Sequence, residues 1–297
     1  WHGATRDNSL THIVVTNNSA EGAVEWFGPV TEEEYNSCHD DCSNAEKLNL
    51  TKAAIKNHRE LFPDHVSTLQ STDPELIEIF DNFAFDEVIL YGNLDTKTRV
   101  MTILASILAS QALCEYKVML AGALNVGITP IEIKEIVYQS VPYIGIAKAL
   151  DFIHATNEGF LSRGIKLPLE GQSVTTPETR YNKGLEVQKE IFGEMIDKMY
   201  QESPEDQVHI QRYLSANCFG DYYTRKGLDI KTRELLTLAF LIALGGTEPQ
   251  IKGHIAGNVN VGNDKKTLLS VITQLLPYVG YPRTLNAIKC LNEIIPE

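Results

Sequence analysis

"LDIKTRELLTLAFLIAL", residues 228–244, decides the fold, because "LDTKTRVMTILASILAS", residues 94–110, repeats it 134 positions earlier. Both stretches open on Leu-Asp, keep Lys-Thr-Arg in register and continue as a run whose apolar residues recur at three and four. That period is helical and leaves no strand-like alternation. Asp95 and Asp229 stand where an N-cap belongs, each with a carboxylate for the orphan N–H groups of a first turn. Further on, "GALNVG" (122–127) pairs with "GNVNVG" (257–262), and "QSVPYIG" (139–145) with "QLLPYVG" (274–280). These matches lie 135 apart, so the second copy has one extra residue in the turn before His254. Repetition on this scale predicts two tandem helical units.

Outward from that core, Thr129-Pro130-Ile131-Glu132 carries a capping-box signature, and Asp264 takes the cap position in the second copy. The glycines and alanines of "GALNVG" let the second long helix approach the first closely, as an antiparallel hairpin. "PYIG" and "PYVG" break the chain before a last helix. Residues 76–83 and 184–199 also read as helices, and 162–179, rich in Gly, Pro, Ser and Thr, reads as a connector. The expectation is an all-α protein with units at 46–165 and 180–297 joined by a linker at 166–179. Residues 1–45 differ, since "THIVVT" and "GAVEWFG" predict a short β segment.

Composition narrows the functions. A chain of 297 residues, 43% apolar and 22% charged, can bury a substantial core. Its net charge of -13 comes without a basic cluster, which argues against nucleic acid. No apolar run reaches the roughly 18 residues of a membrane span, so no membrane role is expected. No signal segment opens the sequence at Trp1, and the expectation is a cytoplasmic protein, or an exported one whose leader preceded Trp1. Of the five cysteines, Cys114, Cys218 and Cys290 fall in helical segments and read as small buried hydrophobes. Cys38 and Cys42 flank His39-Asp40-Asp41, but no second cysteine pair completes a tetrahedral set, so no metal is expected.

"LDIKTRELLTLAFLIALGG", "GHIAGNVNVGN" and "LPYVGYPRTLNAI" resemble the carboxymuconolactone decarboxylase family, whose all-α fold is shared with the alkylhydroperoxidase D proteins. The resemblance runs from about Leu48 to the C-terminus as two units, the first of them degenerate. It implies a ring, often of six units, and hence a homotrimer of two-unit chains forming a pseudo-hexamer. The opening residues resemble the closing strands of a cupin barrel, with His2 and His12 as leftovers of such a site.

The peroxidase branch of this fold uses Cys-x-x-Cys followed, four residues on, by histidine. In the second copy those cysteine positions hold Thr247 and Gln250, in the first Ala112 and Glu115. A peroxiredoxin-like thiol reaction would therefore fall to Cys114, which lacks a resolving partner. The decarboxylase branch needs no cofactor. Loss of CO2 from a carboxylated lactone leaves an enolate-like oxygen to stabilise and a carbon to protonate. His254 occupies the position of the family histidine and Glu234 that of its helix glutamate, 20 positions earlier on the facing helix. Val100 and Met119 replace them in the first copy, where Glu115 is the remaining acid. The catalytic candidates are thus His254 as proton donor, Glu234 as its orienting partner and Glu115 as a completing acid or base. Arg283 and Gln250 are the candidates for holding substrate. Arg99 and Arg233 recur in both copies and read as structural, and Tyr143 and Tyr278 as packing. The leading expectation is a cofactor-free lyase acting on a small carboxylated lactone or oxo-acid. Its rivals are a thiol redox enzyme and a non-catalytic oligomerisation body with decayed sites.

Overall fold

The structure, a computed structural model, describes residues 48–63, 65–92 and 94–296. The expected β segment, with His2, His12, Cys38 and Cys42, lies outside the described residues. The first unit begins with α1 (Lys52–Leu61), a 3-10 turn at Thr68–Gln70, and α2 (Pro74–Asn82), which runs on as a π-helical turn at Phe83–Glu87. Its repeat follows as α3 (Thr96–Ala109), α4 (Leu113–Asn125), α5 (Pro130–Ile144) and α6 (Ile146–Ser162). The second unit has α7 (Arg180–Phe192), α8 (Met195–Glu202) and α9 (Val208–Tyr213), the last continuing as a π-helical stretch at Leu214–Tyr223. Then come α10 (Ile230–Leu244), α11 (Glu248–Asn260), α12 (Lys265–Val279) and α13 (Tyr281–Ile294). The described residues contain no strand, and none of their helices is long and apolar enough to cross a membrane.

The helix starts follow from the caps. Asp95, Asp229 and Asp264 accept from the N–H three residues on, and Thr129 with Glu132 closes a full capping box. The stops follow from glycine. Gly145 and Gly280 end α5 and α12 with φ of 80° and 78°, a conformation that side chains resist. Pro142 and Pro277 sit inside those helices, so the glycine makes the break and not the proline. The helix expected over 184–199 is two helices, parted at Gly193 with φ 63°.

Helices α3 and α10 pack on each other at the centre, and every residue from Arg99 to Ala109 and from Arg233 to Ala243 is buried. A helix apolar on all sides is stable only when surrounded. The partner unit completes that enclosure: α5 lies on α10 and α12 on α3, so one apolar core runs through both units. Gln139 on α5 donates to the Arg233 carbonyl oxygen at 2.8 Å, and its counterpart Gln274 on α12 donates to that of Val88. Arg233, 1% exposed, ties α10 to α5 through Glu135 at 3.0 Å and Gln139 at 2.9 Å, the structural role its repetition suggested.

The pseudo-symmetry extends upstream of the visible repeat. Asn125 donates to the Leu61 carbonyl oxygen and Asn260 to that of Ile191, both at 2.7–2.8 Å. Phe62 meets Phe85 edge-on at 6.3 Å, as Phe192 meets Phe219 at 5.9 Å. Helix α1 therefore corresponds to α7, and the first π-turn to the second. Helix α8 has no counterpart, since a 3-10 turn occupies that stretch of the first unit.

Candidate active site

The second turn of α10 carries Glu234 and the middle of α11 carries His254. Their side chains meet with His254 Nδ1 2.9 Å from Glu234 Oε2. This contact depends on close helix approach. A Cβ at Gly257 would stand 2.7 Å from Ile191 Cγ2 and 2.9 Å from Glu234 Oε2. Any larger residue there would lift α11 away from the carboxylate. Asn258, one residue on, fastens the same crossing by donating to the carbonyl oxygens of Glu234 (3.1 Å) and His254 (2.8 Å).

Glu234 is fully buried, so each oxygen needs a donor. Oε2 has the histidine, and Oε1 accepts from Tyr223 Oη at 2.9 Å. Tyr223 Oη bonds in turn to Thr237 Oγ1 and, at 3.0 Å, to Tyr143 Oη. Gln139 Nε2 donates to Thr237 Oγ1 at 3.0 Å. Tyr143 and Gln139 come from the first unit, so the network that holds the second unit's carboxylate is built by both. Burial pushes the phenols of Tyr143 and Tyr223 well above their ordinary range, with the nearby Glu234 carboxylate adding to it, and both remain neutral donors at neutral pH.

The imidazole of His254 packs edge-on against Phe192 at 5.2 Å and Tyr143 at 6.3 Å, with its side chain 13% exposed. With Nδ1 donating to the carboxylate, Nε2 is left to exchange a proton with a ligand. The arrangement is chemically that of an oriented general acid or base on an apolar wall.

Sequence expectation and structure part at several residues. Gln250 lies exposed one helical turn before His254 on the same face of α11. Arg283 lies elsewhere: its Nε would be 3.2 Å from a Cβ on Gly245, at the far end of α10. Glu234 is eleven residues back (245 - 234), roughly 16 Å along the axis. Glu115 makes no bond to Glu234 or His254; it lines a separate cavity of about 500 Å³ in the first unit, beside Cys114. Another cavity, of about 420 Å³, is walled by α5, the connector and Arg225, and contains neither member of the His254 pair. Tyr143, expected to pack, is part of the network. Cys218 and Cys290 are buried free thiols as expected, whereas Cys114 is exposed, because it sits at the start of α4 facing the cavity; burial pushes Cys218 up to about 12, so it holds its proton at neutral pH.

Reasoning from sequence also missed Tyr223, Thr237, Asn258 and Phe192. A signal for three of them was present. At the same repeat offsets that turn Val100 into Glu234 and Met119 into His254, Ile89 becomes Tyr223, Ile103 becomes Thr237 and Ala123 becomes Asn258. Tyr223 and Thr237 belong to the network around the buried carboxylate, and Asn258 fastens the helix crossing that brings His254 to it.

Comparison with known proteins bears on the same segments. The sequence profile of the carboxymuconolactone decarboxylase family matches twice, at residues 74–158 and 209–293. A 4-carboxymuconolactone decarboxylase from Acinetobacter baylyi is 31% identical over 121 residues, 40% of this chain and 90% of that protein. An uncharacterised 15.0 kDa protein from Paracoccus denitrificans is 30% identical over 80 residues, 27% of this chain and 60% of that protein's length.

Proposed function

The chain belongs to the carboxymuconolactone decarboxylase family, and from that membership we propose that it is a cofactor-free lyase. Its substrate is a small carboxylated lactone or oxo-acid, and its one lyase site is in the second unit. The observation that carries this reading is the 2.9 Å pairing of His254 with the buried, doubly held Glu234. In the proposed reaction the bond to the carboxylate breaks, CO2 leaves, and the electron pair spreads onto the neighbouring carbonyl oxygen. His254 Nε2 delivers a proton to the carbon, and solvent reprotonates the ring through its exposed edge. Glu234 fixes the ring and offsets its charge while the ring holds two protons. The tyrosine–threonine network keeps the carboxylate from turning away.

The assembly proposed with it is a homotrimer. Ile146 and Leu150 on α6 are 58% and 46% exposed, and Tyr281 and Leu285 on α13, 135 positions later, are 61% and 60% exposed. Matching apolar stripes on the last helix of each unit suit a ring in which units alternate. Light scattering that returned a monomer would overturn this part.

The enzymatic reading is tested by CO2 release from a panel of carboxylated lactones and β-oxo acids, with intact protein and with His254→Ala. Turnover by the intact protein that drops by about 10²–10⁴ in the variant supports it. Equal turnover by both, or none by either, refutes it.

A further inference from the structure

The first unit lacks the His254–Glu234 pair, yet it holds the larger of the two cavities described above. That space of about 500 Å³ lies between α1, α2 and the start of α4. It exists because of a local difference between the units. In the second unit, Tyr200 on α8 bonds to Ser215 Oγ at 2.8 Å, and Ser215 bonds to Gln188 at 2.5 Å, closing the space behind the Phe192–Phe219 rings. By the correspondence already drawn, Ser215 is Asp81 and Gln188 is His58 in the first unit. There α8 is replaced by the 3-10 turn Thr68–Gln70, no tyrosine enters, and the space stays open.

The polar groups left around it are unspent. Asp81 is only 9% exposed, lines the cavity, and its carboxylate makes no hydrogen bond or ion pair among the described residues. Glu115, His58 and His65 line the same space, and their side chains likewise make no hydrogen bond there. The Asp81 carboxylate therefore opens onto this space, free to meet a donor that enters it. Ser67, Thr68 and Cys114 add small polar groups, and the rest of the wall is aromatic and aliphatic. Phe80 meets Phe85 edge-on at 6.2 Å and Tyr278 of the second unit at 6.0 Å. Leu69 and Leu76, 46% and 57% exposed, form an apolar mouth.

We infer that this cavity is a binding site for a small organic ammonium ligand with an apolar body, its cationic head held by Asp81 and Glu115. The chemistry of the walls selects that class. Among the described residues, no lysine or arginine lines the space. Arg99, whose field reaches Tyr278 and Glu60, is not a wall residue. Burial holds His58 below its ordinary range, with His65 and Arg59 adding to the effect, which favours the neutral ring. Burial also raises Asp81 and Glu115, with His65 opposing it in both, and an ammonium group would relieve that penalty. Phenyl faces suit a cation, and the chain's net charge of -13 draws cations towards it. A metal ion is the poorer fit, since no three His, Cys, Asp or Glu among the described residues converge as metal ligands would. An anion of the kind proposed for the second unit would meet two carboxylates.

Calorimetric titration at pH 7.5 with 2-phenylethylamine, 2-phenylethanol and phenylacetate tests the inference on the whole chain. The amine binds, and the alcohol and the acid bind at least about tenfold more weakly. Asp81→Asn and Glu115→Gln each weaken the amine by about tenfold or more, whereas Glu158→Gln, an exposed carboxylate on α6, leaves it unchanged. Val118→Phe, which fills the space without touching a charge, also abolishes binding. Circular dichroism confirms that each variant folds. Equal or tighter binding of phenylacetate, amine affinity unmoved by both carboxylate changes, or no binding of any probe overturns the proposal.

Discussion

Replacing Asp81 with Asn should make the protein more stable at neutral pH, the reverse of what removing a charged group usually does. The Asp81 carboxyl is raised from an ordinary 3.8 to about 6, chiefly by burial and against the opposing field of His65. The groups facing it are His65, Glu115 from α4, and Tyr278 from α12. Below 3.8 the carboxyl is protonated in both folded and unfolded chains and contributes nothing to pH dependence. As pH rises towards 6 the unfolded chain ionises first, and stability falls until the folded carboxyl ionises too. The full gap corresponds to about 3 kcal/mol in a dry site. Water in the open cavity screens it, so about 1–2 kcal/mol is expected at pH 7. Asn keeps the shape and removes the charge. Thermal unfolding of both proteins from pH 4.5 to 8 is the assay, and the variant should gain roughly 2–6 °C at pH 7.5. The gain should shrink steadily towards pH 4.5. A gain that does not vary with pH, or a loss at pH 7.5, would refute the claim that Asp81 is a sheltered, unpartnered carboxylate.

Three further outcomes follow from the second unit and the surface. Gly257→Ala puts a methyl within 3 Å of both Ile191 and the Glu234 carboxylate, and should destabilise by about 1–3 kcal/mol in chemical denaturation. Adding Ile191→Ala should recover part of that loss, which a purely helical effect of the glycine would not allow. Glu234→Gln preserves volume but can offer an N–H to Nδ1, reversing the tautomer of His254, so turnover should fall by about 10²–10⁴ while the far-ultraviolet spectrum is unchanged. Leu285→Asp places a charge in the stripe on α13 and, on the proposed homotrimer, should shift light scattering to monomer without loss of helix.

Much of this fold was legible because its determinants are local. The Asp caps, the Thr129–Glu132 box and the Gly145 and Gly280 stops lie within a turn of the helix ends they set. The repeat multiplied that information by stating it twice. His254 and Glu234 were singled out by their match to the family's histidine and helix glutamate, a match that the repeat sharpened by setting Met119 and Val100 opposite them. What stayed hidden was the crossing of units. Nothing local to "QSVPYIG" says that Tyr143 will reach Tyr223, 80 residues away, or that Gln139 will bond to α10. Arg283 was singled out for its place beside the "PYVG" turn, and the structure sets it next to Gly245 at the end of α10, a placement that no local signal gave.

The crossing also explains how two such unlike sites can share one core. Tyr143 enters the second unit's network, and its repeat partner Tyr278 packs on Phe80 at the wall of the first unit's cavity. Each unit thus completes the other, and neither apolar face of α3 or α10 can be buried without the partner's α12 or α5. Two identical chains joined in this way would have to carry the same residues at both sites. Linking the units in one chain removes that restriction, because position 81 can be Asp while position 215 is Ser. The second unit uses the freedom to enclose Glu234 among donors. In the first unit, buried Val100 and Met119 stand at the positions of that pair, and a shortened turn leaves a cavity elsewhere in the unit. If the first unit's cavity binds the proposed ammonium ligand, loss of the histidine in that copy accompanies a different site and not mere decay, because Asp81, Glu115, His58 and His65 gather around open space there.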